Sequence, residues 1–257
     1  METKVTFLGT GTSHGVPQIA CLCAVCQSTD SKDKRLRSSI IIEHDGKNII
    51  IDTGPDFRQQ MLKYEVMHLD YILYTHEHKD HTAGLDDTRS FSIIESKKLP
   101  LYATTWVQEN LKQSFAYIFK EIKYPGIPDV DLRTITKNES FNIGGLEFLP
   151  IEVLHYKLPV MGFRFNDFTY ITDANYIGDE ELEKIKGSKY FVINCLRITP
   201  HLSHFNLEEA LRIIDIIKPE KAFLTHISHD LGLHKYVQEN LLPHNVFLAY
   251  DGLEVNW

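Results

Sequence analysis

The chain has 257 residues, a formal net charge of −8, and 43% hydrophobic and 11% aromatic residues. That apolar content is enough to bury a sizeable core, while the acidic balance argues against a broad nucleic-acid-binding surface, which needs clustered Lys and Arg. No apolar run approaches a membrane span, and the first residues lead straight into a strand, so the cytoplasm is the default location.

In chain order, Val5-Thr6-Phe7-Leu8 reads as a strand entering Gly9-Thr10-Gly11-Thr12-Ser13. Two isoleucine-rich runs, residues 39–43 and 48–51, flank Asp45-Gly46, a strong hairpin signal. Asp52-Thr53-Gly54-Pro55 follows, with Pro55 placed to open a helix through Leu62. A strand is expected over residues 69–75, another at Leu101-Tyr102-Ala103, and a helix from Thr105 to Phe119. Residues 120–135, rich in Pro and Asp from 123 onward, read as an extended loop of unknown role.

The second half predicts strands at 141–153, 161–166 and 168–173, the last two turning at Asn166-Asp167. A short helix near 179–186 and a strand at 190–194 come next. Asn206-Leu207-Glu208-Glu209 has capping-box spacing for a helix through Ile217. A strand at 222–225, a helix near 233–240 and a final hairpin over 246–256 complete the chain. Hairpins interspersed with helices, with no linker-like stretch, predict a single α/β domain over residues 1–257: two mixed β-sheets face to face, flanked by helices in an αββα sandwich.

Thr75-His76-Glu77-His78-Lys79-Asp80-His81 is the densest chemical signal. Alternation lets His76 and His78 point the same way from an extended segment, and Asp80 and His81 follow where the chain must turn. Imidazoles and a carboxylate in this pattern suit zinc, iron or manganese and suggest half of a two-metal hydrolytic centre. His155, Asp173 and His226 each follow a predicted strand, and strand ends in stacked sheets gather along a rim. Cys21, Cys23 and Cys26 cluster in a way that favours metal over disulfides, and Cys195 reads as a buried small hydrophobe.

With these motifs in place, the chain resembles the metallo-β-lactamase-fold hydrolases, whose H-x-H-x-D-H hallmark is matched by His76, His78, Asp80 and His81. The resemblance spans nearly the whole chain. It implies that His76, His78 and His155 hold one metal, that Asp80, His81 and His226 hold the other, and that Asp173 bridges them. Asp52 matches an upstream Asp of the family and is expected to orient a ligand imidazole.

A narrower resemblance, to the phosphoribosyl 1,2-cyclic phosphodiesterase group of phosphonate breakdown, rests on three features: residues 9–17, the C-x-C-x-x-C run, and Leu224-Thr225-His226-Ile227-Ser228-His229. It implies a separate structural zinc held by Cys21, Cys23, Cys26 and His229. It also implies a histidine acting as proton donor, here His204 with His201 as rival, in catalysis together with Asp80 and Asp52.

The expected activity is metal-dependent hydrolysis of a small, nucleotide-like or cyclic ribose phosphodiester, with zinc, manganese or iron as the catalytic pair. The competing readings are a transfer-RNA 3′-processing or other nuclease, a lactonase or thioesterase, and a non-catalytic metal-binding protein. A homodimer is compatible with the sequence, and neither nucleic acid nor membrane is expected as a partner. Arg89, beside Asp86 and Asp87, reads as a local ion pair before it reads as a phosphate contact.

Overall fold

The structure is a computed structural model that describes residues 2–120 and 125–257. Fifteen strands are present among the described residues. In chain order the first six are β1 (Thr3–Gly9), β2 (Ser39–His44), β3 (Lys47–Ile51), β4 (Tyr71–Leu73), β5 (Leu99–Ala103) and β6 (Val130–Thr134). The next five are β7 (Phe141–Ile143), β8 (Leu146–His155), β9 (Leu158–Phe165), β10 (Phe168–Tyr170) and β11 (Tyr176–Ile177). The last four are β12 (Tyr190–Asn194), β13 (Lys221–Thr225), β14 (Val246–Leu248) and β15 (Glu254–Asn256). The helices are α1 (Ala24–Gln27), α2 (Phe57–Lys63), α3 (Lys79–Thr82), α4 (Arg89–Ile94), α5 (Thr105–Ser114), α6 (Asp179–Ile185), α7 (Leu207–Ile217) and α8 (His234–Asn240).

Two mixed sheets form. One has the order β15-β1-β2-β3-β4-β5-β6, and the other β11-β8-β9-β10-β12-β13-β14 with β7 added alongside β8. The isoleucine runs explain the layering. Ile40, Ile42, Ile49 and Ile51 face the core between the sheets, whereas Ile41 and Ile50 face the cluster under α2 and α5. A strand covered on both faces has apolar residues at both parities, which is why these runs do not alternate with polar residues. Phe148, Phe163 and Phe165 supply the facing side from the second sheet. A third cluster, with Phe191, Ile193, Ala210 and Ile214, seats α7 on the outside of that sheet. The expected αββα sandwich is therefore the fold.

Several boundaries differ from expectation. The run 141–153 is two strands, β7 and β8, because Gly144 and Gly145 both take positive φ and turn the chain. The segment expected as a loop contains β6, an edge strand parallel to β5; residues 121–124 of that expectation lie outside the described residues. The expected final hairpin is absent. Val246–Leu248 pairs with β13, and Glu254–Asn256 pairs with β1 in the other sheet. The helix after β5 stops at Ser114 rather than Phe119, and α2 starts at Phe57 after Asp56. The capping box of α7 is formed: Asn206 Oδ1 accepts from Glu209 N and Glu209 Oε2 accepts from Asn206 N, both at 2.9 Å.

The topology creates a shared rim. β3 and β4 are parallel, as are β10, β12 and β13, so the chain leaves these strands at the same end of the sandwich. Asp52 follows β3, His76 follows β4, Asp173 follows β10 and His226 follows β13. At the other end of β1 the first and last described strands close on each other, with Thr3 N donating to Trp257 O (2.9 Å) and Trp257 N to Thr3 O (3.1 Å).

Candidate metal centre

Asp173 sits at the middle of the rim. Its Oδ2 lies 3.1 Å from His81 Nε2 and 3.2 Å from His226 Nδ1, and its Oδ1 lies 3.8 Å from His204 Nδ1. Asp80 Oδ2 approaches the same His81 nitrogen at 3.2 Å. Asp80, His81, Asp173 and His226 thus present one compact donor set, and His155, Asp173 and His204 a second one that shares Asp173. His76 and His78 flank the two sets: their rings are 4.6 Å apart, with His76 4.3 Å from His81 and His78 5.2 Å from His155. The residues expected at the catalytic metals gather at this rim, although the compact donor sets leave out His76 and His78 and include His204 beside His155.

The hydrogen bonds fix which imidazole nitrogens face the centre. His155 Nδ1 lies 2.8 Å from the Ser203 carbonyl, which can only accept, so Nδ1 carries the hydrogen and Nε2 keeps its lone pair. His81 Nδ1 lies 2.7 Å from Asp52 Oδ2. Thr75 Oγ1 donates to the same oxygen at 2.8 Å and stands 2.9 Å from His76 Nδ1, so His76 donates to Thr75 and also turns Nε2 inward. One buried carboxylate, held further by Thr75 N at 2.9 Å, thereby sets two ligand tautomers.

The residues fit divalent ions on an observation independent of family. His76 Nε2, His81 Nε2, His204 Nδ1 and His226 Nδ1 are buried with no hydrogen-bond partner. His81 and His226 stand 3.1 and 3.2 Å from the Asp173 carboxylate, yet none of the four nitrogens makes a hydrogen bond, and a shared cation would satisfy them together. The electrostatics agree with that use at Asp173, Asp80 and His76, whereas at His81 burial is outweighed by Asp173 and Asp80, which hold its pKa well above the usual value, so an ion there would displace a proton. Burial would raise the Asp173 carboxyl, yet His226 and His81 hold it well below the usual range. Burial also opposes ionisation of Asp80, and His81 again overcomes it. Burial and the neighbouring His81 keep His76 neutral, as a ligand must be.

Three of these residues sit in left-handed backbone: Asp52 (φ 65°), Asp173 (φ 53°) and His226 (φ 54°). Non-glycine residues in this region are uncommon and concentrate where the surroundings over-determine them. Each falls as the chain turns sharply off a strand, which aims a side chain across the rim instead of along it.

His204 is buried, stacked 4.8 Å from His226 and 4.5 Å from His155. Burial, then the neighbouring His226, pushes its pKa down to about 2, so it rests neutral. His201 lies on the solvent side, its ring 5.2 Å from His204 and its Nδ1 3.3 Å from Ser203 N. His204, not His201, is thus the histidine directed at Asp173.

Cys21, Cys23, Cys26 and His229 form the other donor cluster, with His229 Nδ1 3.5 Å from Cys21 Sγ and 3.2 Å from Cys23 Sγ. The backbone N–H of Cys26, then His229, lowers Cys23 to about 6, whereas burial raises Cys26 to about 11. Three sulfurs and one imidazole match a closed tetrahedral zinc site. The cluster is coupled to the main centre through backbone: Ile227 N donates to Thr10 O (2.9 Å) and Thr12 N to Ile227 O (3.1 Å), while Thr12 Oγ1 reaches His226 Nε2 at 3.2 Å.

Arg89 forms the local ion pair expected of it. Glu77 accepts from Trp106 Nε1 at 2.8 Å, and Arg89 pairs with Asp86 at 2.8 Å. Thr75, Thr12 and the Ser203 carbonyl were not singled out from the sequence. Thr75 was the legible one, since it directly precedes the histidine cluster and its hydroxyl can reach back to Asp52.

A β-lactamase superfamily domain model matches residues 47–227. The chain belongs to that superfamily. Among solved structures it is similar to a diphosphatase of the PhnP family, at 38% identity and a TM-score of 0.94, covering 100% of this chain and 98% of that one. It has the metallo-β-lactamase fold and is related to the PhnP family. An octanoyltransferase of Porphyromonas gingivalis (strain ATCC BAA-308 / W83) is 40% identical over 253 residues, 98% of this chain and 51% of that protein. Coenzyme PQQ synthesis protein B of Methylorubrum extorquens (strain PA1) is 29% identical over 153 residues, 53% of this chain and 47% of that protein. The chain thus spans about half the length of the curated relatives it matches.

Proposed function

We propose that this protein is a dinuclear metal-dependent phosphodiesterase acting on a small phosphodiester. The supporting observation is the set of four buried imidazole nitrogens that make no hydrogen bond and converge on the Asp173 carboxylate. His76, His78 and His155 would hold one ion and Asp80, His81 and His226 the other, with Asp173 between them. Ions bound there would supply Lewis-acid activation of water and of the phosphoryl group. Asp52 and Thr75 keep His81 and His76 in the ligand tautomer. His204, beside Asp173, is positioned to pass a proton to a departing alkoxide. Burial disfavours its protonated form, so this role requires a phosphate anion against it, whose charge favours protonation.

The similarity to a PhnP-family diphosphatase supports phosphoryl over acyl chemistry. The test is turnover of bis(p-nitrophenyl) phosphate, a phosphoribosyl cyclic phosphate and a nucleoside diphosphate sugar by protein of measured metal content. Turnover of none of the three with both ions bound would reject the reading. The octanoyltransferase relative favours one alternative, an acyl ester hydrolase. Faster cleavage of p-nitrophenyl octanoate than of any phosphodiester would establish that alternative instead.

A further inference from the structure

Four two-residue hairpin turns occur among the described residues. They join β2 to β3, β7 to β8, β8 to β9 and β9 to β10. Such turns require positive φ at the first turn residue, which favours Gly, Asn and Asp. Three follow the rule, with Asp45-Gly46, Gly144-Gly145 and Asn166-Asp167. The fourth is Tyr156-Lys157, and Tyr156 holds φ 59° with a full aromatic side chain. A bulky residue in left-handed backbone is an outlier that persists only when its surroundings hold it.

Those surroundings are the metal centre. Tyr156 directly follows His155. Its N–H donates to Asn175 Oδ1 at 2.6 Å, and Asn175 lies two residues after Asp173. Asn175 Nδ2 in turn donates to Leu202 O at 3.2 Å, on the loop that carries His204. The turn is thus tied to both segments that deliver site residues. The phenol ring is not packed away: Tyr156 is 49% exposed. It lines a depression of about 450 Å3 together with His78, His155, Lys157, Leu158 and Ser203. Lys157 Nζ lies 5.3 Å from the ring centroid, and no carboxylate pairs with it among the described residues.

We infer that Tyr156 is a specificity residue: its ring stacks on a planar heterocycle of the substrate, a nucleobase, while the substrate's phosphate lies over the metal centre and Lys157 faces its remaining anionic oxygens. The inference rests on the phosphodiesterase reading and narrows it to base-bearing substrates. An aromatic face accepts any base, which is how single bases are commonly held. The energetically costly turn is explained by what it does, since an Asn or Gly there would suit the hairpin and offer no platform.

The test is calorimetric binding of AMP and of ribose 5-phosphate to metal-loaded protein. Wild type is expected to bind AMP more tightly. Tyr156→Leu is expected to weaken AMP by about tenfold or more, to change ribose 5-phosphate by less than about twofold, and Tyr156→Phe to retain AMP affinity. Tyr156→Gly is expected to lose the preference for AMP while its unfolding midpoint rises, because glycine relieves the turn. Equal affinity of wild type for both ligands, equal weakening of both by Tyr156→Leu, or a lower midpoint for Tyr156→Gly would overturn the inference. Failure of the phosphodiesterase reading shows separately, as no phosphodiester turnover by wild type, and leaves the binding comparison decisive.

Discussion

Asp52 Oδ2 lies 2.7 Å from His81 Nδ1, and neither side chain is accessible to solvent. Through His81 and Thr75, Asp52 controls the inward nitrogens of His81 and His76. Asp52→Asn keeps the shape but removes the anion that holds the His81 hydrogen on Nδ1. Catalytic metal affinity, or activity, is expected to fall about 10–100-fold. Metal quantification after dialysis checks this, with the Cys-bound equivalent as an internal control that stays.

His204→Ala separates a proton donor from a metal ligand, since His204 stands close to both His155 and Asp173. The expected outcome is retention of both catalytic ions and a rate loss of about 10²–10⁴ on alkoxide leaving groups. The loss should be much smaller for p-nitrophenolate, which departs without a proton. Loss of one ion from the variant would make His204 a ligand and remove its role as acid.

Cys23→Ser opens the cysteine cluster at the sulfur that Cys26 N–H and His229 lower to about 6. One zinc equivalent is expected to be lost and the unfolding midpoint to drop by several degrees. Catalytic metal affinity should weaken as well, because Ile227 and Thr12 connect the cluster to His226. Normal catalytic metal binding in a variant lacking the structural zinc would show that the two sites are independent.

A buried charge group behind the centre sets an acid-side dependence of stability. Arg35 is buried, with its Nη2 3.1 Å from His234 Nδ1. Burial, then Arg35, lowers His234 to about 4 from a usual value near 6.5. Between these values the unfolded chain takes up a proton that the folded chain refuses, so the stabilising contribution is lost as pH falls from about 6.5 to 4. Asp251, raised to about 6 by burial, has the opposite slope between about 4 and 6. His234→Gln removes the first effect and leaves the second. Urea unfolding at pH 7 and 4.5 should show wild type losing on the order of 1–2 kcal/mol more than the variant over that interval, allowing for screening. Identical losses would rule out His234 as a source of the slope.

The residues that converge on the rim are legible because metal chemistry restricts residue type and because strands deliver them: His76, His155, Asp173 and His226 each follow an apolar run. What the sequence concealed was mostly non-local. Glu254–Asn256 is three residues long and becomes a strand only because β1 offers an edge; adjacency to Val246–Leu248 suggested a hairpin that pairing overruled. β6 reads as polar because it is an edge strand with Arg133 and Thr134 exposed. The left-handed backbone at Asp173 and His226 has no local signature, since neither is glycine and the conformation is imposed by the turn onto the rim.

The mutual hydrogen bonds of Thr3 and Trp257 bear on how this unit combines with others. β1 runs from Thr3 toward the loop that meets Ile227, so the paired ends lie about 20 Å from the metal rim, the length of a seven-residue strand. Polypeptide joined to either end would leave from the same corner and keep clear of the mouth. A circular permutant linking residues 3 and 257 and opened at the exposed Asp45-Gly46 turn should therefore fold and keep its metals, a modularity consistent with a relative about twice as long, of which one segment is similar to 98% of this chain.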